Sequence, residues 1–290
     1  MTDSPALSDL ASLLSGRAVV ALVGAGCSTE SGIPDYRGPS APSPPRKPMM
    51  FRAFRDDAGM HRRYWARSFV GWPRIAQARP NAAHTALAQL ETGGNVVGVI
   101  SQNVDGLHQA AGTRELVELH GSLHRVVCLG CGERTSRADL QTRMARENPD
   151  VGPGTTDDPV GGRIAPDGDA DVDPSADFAV PTCLACGGML KPDVVFFGEN
   201  VPRPVVDTAW DYFSRAEVLL VVGSSLTVFS GFRFVHRAAK VGLPVGILNL
   251  GPTRGDDLAA VRVEARLGEA LPHLARRLPA LPRRPWGHRA

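Results

Sequence analysis

The sequence has no apolar run long enough to cross a bilayer and no strong charge of either sign. Its longest apolar stretch, at 218–222 with its flanks, is far shorter than the roughly 20 residues that a transmembrane helix needs. The 32 basic residues are nearly matched by 30 acidic ones, so the formal net charge is only +2. We therefore expect neither a membrane partner nor a specific nucleic-acid partner.

The amino-terminal segment also lacks the features of a targeting signal. Residues 1–17 contain Asp3 and Asp9, and they have neither a basic start followed by an apolar core nor an Arg-rich amphipathic pattern. We therefore expect a cytoplasmic protein, and we expect it to be a monomer.

Cysteine is scarce, with five residues in a chain of 290. Four of them form two CxxC pairs, Cys128 with Cys131 and Cys183 with Cys186, which is not the dense disulfide framework of a small secreted domain. Two such pairs can supply four thiolates to one tetrahedral zinc ion, and four sulfur ligands leave no position for a catalytic water. The pairs predict one structural zinc; a redox pair and buried free thiols are the alternatives.

Apolar runs of strand length alternate with helical patterns along most of the chain. Strands are predicted at 18–23, 96–100, 218–222 and 245–250, and helices at 5–14, 82–91 and 205–215. Such alternation is typical of an α/β fold built on a Rossmann-type parallel sheet with helices on both faces.

Two regions interrupt this alternation, and we expect them to form a smaller inserted domain made of a zinc-binding module and a helical module. The predicted segments are three Rossmann-type parts at 1–37, 81–121 and 191–278, a cofactor loop and helical module at 38–80, a zinc-binding module at 122–190, and a basic tail at 279–290. An acidic insertion at 147–178 is rich in Gly and Pro, and we expect it to be mobile or to lie over a neighbouring surface.

A glycine-rich turn directly follows the first predicted strand. Gly24, Ala25 and Gly26 would let backbone amides approach a pyrophosphate, and a helix predicted to begin near Ser28 would stabilise its charge. A GxG sequence by itself is equally consistent with an ordinary tight turn. The polar segment at 28–37, interrupted by Gly and Pro, is unusual for a Rossmann-type helix and indicates a specialised loop.

Polar side chains also follow the strand predicted at 96–100. Gln102, Asn103 and Asp105 stand at its carboxyl end, which is the edge of an open α/β sheet where ligands bind. A polar helix cap would explain Asn103 or Asp105 but would leave Gln102 unexplained. A single histidine, His120, precedes the first cysteine pair, and a lone histidine is more often structural than catalytic.

The order of these motifs over residues 18–274 resembles the sirtuin family. The matching stretches are 24–37, 102–108, His120 with Gly121, the two cysteine pairs, 190–199, 223–226 and 248–250. Tyr36 and the segments 71–73, 165–169 and 251–254 resemble class II, the mitochondrial type, within that family. The resemblance implies an enzyme that uses NAD to remove acyl groups from lysines of protein substrates.

The resemblance further implies an NAD site built from several separate segments. Its residues would be Gly24, Ala25, Gly26, Ser28, Glu30, Ile33, Asp35, Tyr36, Arg37, Gln102, Asn103, Asp105, Gly223, Ser224, Ser225, Asn249, Leu250, Gly251 and Leu267. By the same resemblance, Asn103 and Asp105 are also candidate catalytic residues beside His120.

In the sirtuin reaction that the resemblance implies, the acyl-lysine carbonyl oxygen displaces nicotinamide at C1′ of the ribose, and positioning supplies much of the acceleration. His120, with an ordinary pKa near 6.5, would then accept a proton from a ribose hydroxyl that attacks the imidate carbon. The products would be free lysine, nicotinamide and O-acyl-ADP-ribose.

Two sets of residues are candidates for contact with the acylated substrate. The segment Val194, Val195, Phe196, Phe197 and Gly198 resembles the strand edge to which a sirtuin substrate adds by main-chain hydrogen bonds. Tyr64 and Arg67 would share one face of a helix and resemble the pair that binds acidic acyl groups at the tunnel floor. The alternative is a solvated basic face at 62–67 with Tyr64 packed inward.

Two other functions remain open from the sequence. Transfer of a single ADP-ribosyl group to a protein side chain would begin from the same activated NAD. A non-catalytic sensor of zinc and nucleotide is a second alternative, although such a module would have no need for His120 and Asn103 beside the ribose. Cys27 lies outside the CxxC pairs, and we expect it to be a small buried apolar residue.

Overall fold

The computed structural model describes residues 4–38, 41, 48–151, 165–170 and 177–282. Most of the Pro-rich run at 39–48, of the acidic insertion at 147–178 and of the basic tail at 279–290 lies outside the described residues. Among those that are described, no helix is long and apolar enough to cross a membrane.

A six-stranded parallel sheet forms the larger of two domains. Its strands are β1 (Val19–Val23), β2 (Val96–Ser101), β3 (Leu116–Glu118), β7 (Val218–Val222), β8 (Val245–Leu248) and β9 (Val261–Val263), in the order β3-β2-β1-β7-β8-β9. The predicted Rossmann-type parallel sheet is confirmed. The outer strands β3 and β9 were not predicted, because three residues are too few to show a pattern of their own.

Helices cover both faces of this sheet. They are α1 (Pro5–Leu14), α4 (Ala82–Thr92) and α9 (Leu267–Arg277) on one face, and α7 (Arg203–Arg215) and α8 (Phe229–Val241) on the other. Successive residues of β1 point to opposite faces, so Val19 and Ala21 belong to the first apolar cluster and Val20 and Leu22 to the second. Burial on both sides explains why the strands are apolar without alternation.

The element boundaries mostly follow local chemistry that is visible in the sequence. Helix α1 has the predicted bounds, and the Ser4 side chain accepts a hydrogen bond from the Leu7 amide at its start. The strand predicted at 245–250 ends instead at Leu248. It stops there because the Asn249 side-chain amide turns to donate to the carbonyls of Leu250 and Gly251.

The smaller domain contains an antiparallel sheet and three helices. Its elements are β4 (Gly121–Cys128), β5 (Arg134–Ser136), β6 (Leu190–Val194), α2 (Phe51–Asp56), α3 (Ala58–Gln77) and α6 (Arg137–Glu147); the short α5 (Leu107–Ala110) follows β2. Because β6 pairs with β4, residues 191–194 belong to this sheet and not to the third Rossmann-type segment that we predicted.

The described part of the acidic insertion lies over the long helix α3. The Arg67 Nε and an Asp169 carboxylate oxygen are 2.5 Å apart. Gly71 faces the carbonyl oxygen of Gly168 so closely that a Cβ at position 71 would collide with it. Residues 165–170 therefore lie over a neighbouring surface, one of the two arrangements expected for the insertion.

Candidate active site

A cavity of about 950 Å³ lies between the carboxyl ends of the parallel strands and the smaller domain. Every residue that the sequence assigned to NAD lines it, as do His120 and the whole segment Val194 to Gly198. Most of the residues assigned to NAD come from turns after β1, β2, β7 and β8, which parallel pairing brings to one edge of the sheet. His120 follows β3, and Val194 to Gly198 come from the end of β6 in the smaller domain. The carboxyl edge of the sheet is therefore the floor of the cavity.

The glycine-rich turn does not open an α-helix as predicted. Residues Ala25–Cys27 and Thr29–Ser31 each form a single 3₁₀ turn, and Gly32 then adopts a left-handed conformation with φ of 83°. The Ser28 side chain makes no capping hydrogen bond to the turn that follows it, and its hydroxyl donates to Asp105 at 2.6 Å. The chain therefore continues across the cavity as a loop, and the predicted helix start near Ser28 is wrong.

Gly24 fits a close contact between two strand ends. A Cβ on Gly24 would lie 2.7 Å from the Gly223 carbonyl oxygen and 2.7 Å from the Ser224 Cβ. Any side chain at position 24 would push the turn after β1 away from the turn after β7. The glycine is therefore required by the packing of the two turns, whatever ligand lies above them.

A hydrogen-bonded network fixes the polar side chains that follow β2. The Asn103 side-chain amide donates to the Gly24 carbonyl and to the Ser28 hydroxyl, both at 3.1 Å. Gln102 reaches across to the Ser224 hydroxyl at 2.8 Å. The network joins the turns after β1, β2 and β7, so these groups are positioned before any ligand arrives.

His120 stands between the last residue of β3 and the first residue of β4, where the chain passes from the large sheet to the small one. Its Nδ1 lies 2.9 Å from the Gln102 carbonyl oxygen and its Nε2 lies 2.7 Å from the Ser230 hydroxyl. Burial, and to a lesser degree the positive charge of Arg233, lower the pKa of His120 below its ordinary value. The imidazole is thus neutral at pH 7 and able to accept a proton.

The proposed substrate edge is only partly a strand. Strand β6 ends at Val194, and the Val195 amide donates to the His120 carbonyl at 2.8 Å. The Phe197 carbonyl accepts from the Phe51 amide at 2.9 Å. These internal hydrogen bonds hold 194–198 against the cavity, but they occupy some of the main-chain groups that a substrate strand could have used.

Tyr64 and Arg67 are not placed as the acidic-acyl hypothesis required. Neither is among the described residues that line the cavity. Tyr64 is buried among Phe54, Trp65 and Phe196, and Arg67 is held by Asp169. The structure gives this hypothesis no support, because the cation that was to meet an acidic acyl group is already paired with a carboxylate of the insertion. The acidic-acyl pair stays a prediction.

Several residues that line the cavity were not predicted. Pro166 and Asp167 come from the acidic insertion, and Ser230 comes from the first turn of α8. The insertion residues could not be located from sequence, since their position depends on contacts with α3. For Ser230 a signal did exist, because it begins a helix after the polar turn that follows β7.

The four cysteines of the CxxC pairs converge at the far end of the smaller domain. Their sulfur atoms all lie within 4.8 Å of one another, with 3.5 Å between Cys128 and Cys186 and 3.8 Å between Cys131 and Cys183. Tetrahedral zinc with bonds of about 2.3 Å places its sulfur ligands roughly 3.8 Å apart. The donor set and spacing fit one structural zinc ion.

The comparisons with known proteins agree with this site. The family model described as the Sir2 family matches residues 24–230. "NAD-dependent protein deacetylase 1" of Mycobacterium avium is 51% identical over 94% of this chain and 96% of its own. "NAD-dependent protein deacylase SIR4" of Batrachochytrium dendrobatidis is 46% identical over 88% of each chain.

Solved structures give the same result at lower identity. The structure described as "Sir2-p53 peptide-NAD+" has a TM-score of 0.72 and 30% identity, covering 93% of this chain and 97% of its own. "Structure of Sir2Tm bound to a propionylated peptide" has a TM-score of 0.72 and 28% identity, covering 95% and 98%. The glycine turn, the polar strand ends, the cysteine cluster and these matches together show that the chain belongs to the Sir2 family.

Proposed function

We propose that His120 is the general base of this NAD-dependent protein-lysine deacylase. The observation that carries the proposal is the position of its imidazole, which lines the same cavity as the turns after β1, β2, β7 and β8 and is held by the Gln102 carbonyl and the Ser230 hydroxyl. NAD is the co-substrate and acyl-lysine proteins are the substrates. Burial lowers the pKa of His120 below its ordinary value, which favours the neutral imidazole that can remove a proton from a hydroxyl.

The residues of the cavity floor are proposed to divide the binding of NAD between them. The turn at 24–26 and residues 223–225 would hold the pyrophosphate, because backbone amides and small side chains allow a close approach. Asn103 and Asp105, fixed through Ser28, would orient the nicotinamide ribose for displacement at C1′. Asn249 to Gly251 and Leu267 would contact the adenosine half.

For the acyl group, the cavity supports a neutral group better than an acidic one. Arg67 is neutralised by Asp169, and the insertion adds the carboxylate of Asp167 to the cavity wall. A succinyl or glutaryl carboxylate would therefore find Arg67 already paired and would lie near the carboxylate of Asp167. We propose that acetyl and similar uncharged acyl groups are preferred over succinyl.

The class II assignment is also a proposal, supported by Tyr36 and by the segments 71–73, 165–169 and 251–254. Two of these segments touch in the structure, since Gly71 packs on Gly168. The relatives named above are bacterial and fungal, so we propose class II as a sequence group and not as a mitochondrial type. The cytoplasmic location and the monomeric state remain predictions from the sequence.

One experiment tests both the reaction and the acyl preference. A single peptide carrying acetyl-, propionyl- or succinyl-lysine is incubated with the purified chain, with and without NAD, and followed by mass spectrometry. We expect NAD-dependent loss of the acyl mass together with nicotinamide and O-acyl-ADP-ribose. Biotinylated NAD provides a control, because label retained on protein without acyl loss would instead indicate ADP-ribosyl transfer.

A further inference from the structure

The hydrogen bonds of His120 determine which of its nitrogens carries the proton. The Gln102 carbonyl oxygen, 2.9 Å from Nδ1, can only accept, so Nδ1 must be the protonated nitrogen that donates to it. Nε2 then has a free lone pair. The Ser230 hydroxyl, 2.7 Å from Nε2, must therefore donate its hydrogen to that lone pair.

This arrangement places a hydroxyl group in front of the basic nitrogen. Ser230 lines the cavity together with His120, and it lies in the first turn of α8. Its main-chain carbonyl accepts a hydrogen bond from the Arg233 Nε at 3.0 Å, which helps to fix that turn. A ribose hydroxyl that approaches His120 from the cavity thus meets a lone pair that Ser230 already occupies.

We infer that Ser230 relays the proton between a ribose hydroxyl of NAD and His120, an inference that rests on the proposed role of His120. The O–H bond of the ribose hydroxyl breaks and its proton passes to the Ser230 oxygen. The hydrogen of Ser230 passes at the same time to His120 Nε2, so the serine is unchanged. The ribose oxygen forms the C–O bond to the imidate carbon with the electron pair that is released.

The balance of the reaction is completed by His120. After the relay, His120 is an imidazolium ion that still donates from Nδ1 to the Gln102 carbonyl. The lysine nitrogen must gain a proton when its bond to the acyl carbon breaks, and the imidazolium can supply it through the same serine hydroxyl. The relay therefore works in both directions. The acyl carbon is then a cation bonded to two ribose oxygens, and a water molecule adds to it and loses a proton, so that O-acyl-ADP-ribose forms.

A competing role for Ser230 makes a different prediction. If the serine only occupies Nε2 in the free enzyme and is displaced by the ribose hydroxyl, its removal would leave deacylation unchanged or make it faster. If the serine only stabilises the start of α8, its removal would impair every step that depends on the cavity, including NAD binding and the release of nicotinamide.

The test uses Ser230→Ala, with Ser230→Thr as the variant that keeps a hydroxyl. We expect Ser230→Ala to lower kcat for deacylation by on the order of 10–100-fold, with KM for NAD within a few-fold. Exchange of labelled nicotinamide into NAD, which precedes the base-dependent step, should remain within a few-fold of wild type. Ser230→Thr should recover most of the lost kcat.

A spectroscopic measurement reports on the hydrogen bond without turnover. In ¹⁵N-histidine-labelled protein, the signal of the unprotonated His120 Nε2 should move in Ser230→Ala towards the position of a nitrogen that accepts no hydrogen bond. Wild-type kcat in Ser230→Ala, or equal losses of exchange and deacylation, would overturn the relay. Normal deacylation by His120→Ala would instead refute the proposed function itself, so the two failures are distinguishable.

Discussion

The two walls of the cavity differ in how the sequence determines them. The floor, where NAD is proposed to bind, consists of turns at the ends of parallel strands, and the pairing of β1, β2, β7 and β8 places them together. The opposite wall comes from the smaller domain, where residues 165–170 are held by contacts with α3. The first wall is positioned by strand pairing, which the apolar runs of the sequence predict. The second wall is positioned by contacts between the insertion and α3, which no sequence pattern predicts.

The two walls are also expected to differ in what they contribute to the reaction. The floor contains a network already joined by hydrogen bonds, from Ser28 through Asn103 to the Gly24 carbonyl. The smaller domain contributes Asp167 and holds the four-cysteine cluster, where a structural zinc ion would add to its folding free energy. We therefore expect changes to the floor to abolish reaction, and changes to the other wall to alter stability or acyl selectivity.

The largest expected effect is on the floor. His120→Ala should lower the rate of deacylation by about 10²–10⁴-fold, because the variant has no base at Nε2. NAD affinity, measured by calorimetry, should stay within a few-fold, since the polar network does not pass through the imidazole ring. His236→Ala, which removes an exposed histidine from α8, is the matched control. Turnover by His120→Ala at the wild-type rate would be incompatible with the proposed base.

The next effect concerns the domain that carries the other wall. Cys183→Ser should lower the zinc content from about one ion per chain and unfold the smaller domain, because a structural zinc contributes directly to folding free energy. Metal analysis and thermal unfolding measure the two consequences. Cys27→Ala is the control, because Cys27 is buried in the larger domain. This variant should keep its zinc ion. A zinc-free chain with unchanged melting temperature would rule out the structural role.

The same contrast explains which predictions from sequence succeeded. The parallel sheet and the cysteine cluster follow from strand periodicity and short motifs, which need no knowledge of distant contacts. The residues that the resemblance assigned to NAD line one cavity, and their contacts with NAD stay a prediction. The predicted helix near Ser28 is wrong: the segment forms two 3₁₀ turns, and the Ser28 hydroxyl bonds to Asp105, a residue 77 positions away. The role predicted for Arg67 finds no support in the structure, because Arg67 is paired with Asp169, 102 positions away. Neither partner could be identified from local sequence.

A smaller effect concerns two buried histidines of the larger domain, His84 and His108. Burial, and then the neighbouring His84, lower the pKa of His108 to about 3. Burial also lowers the pKa of His84. In the unfolded chain these groups have a pKa near 6.5, so below that pH the unfolded state binds more protons than the folded state. The folded protein, in which these histidines are neutral, is therefore most stable relative to the unfolded chain above pH 6.5. Its free energy of unfolding decreases as the pH falls from 6.5 towards 3.

The measurement is the free energy of unfolding as a function of pH. Between pH 6.5 and pH 5 we expect one buried neutral histidine to lower the free energy of unfolding by about 2 kcal/mol. His108→Gln should be less stable at pH 7, because it places an amide in a buried site, but its stability should fall less steeply below pH 6.5. Parallel pH profiles for wild type and variant would show that His108 takes up no proton on unfolding in this range.

The smallest expected effect tests whether the insertion wall selects the acyl group. Asp167 is on the segment that Arg67 anchors through Asp169, and it is among the residues that line the cavity. Repulsion between two partly solvated carboxylates is worth roughly 1 kcal/mol, so Asp167→Asn should raise kcat/KM for a succinyl peptide about fivefold and leave the acetyl value nearly unchanged. Asp139→Asn, which removes an exposed carboxylate from α6, should change neither value.

If the wild type instead preferred succinyl, and Arg67→Met abolished that preference, Arg67 would have to leave Asp169 when substrate binds. The interpretation of Tyr64 and Arg67 as an acidic-acyl pair would then replace the one drawn from the structure.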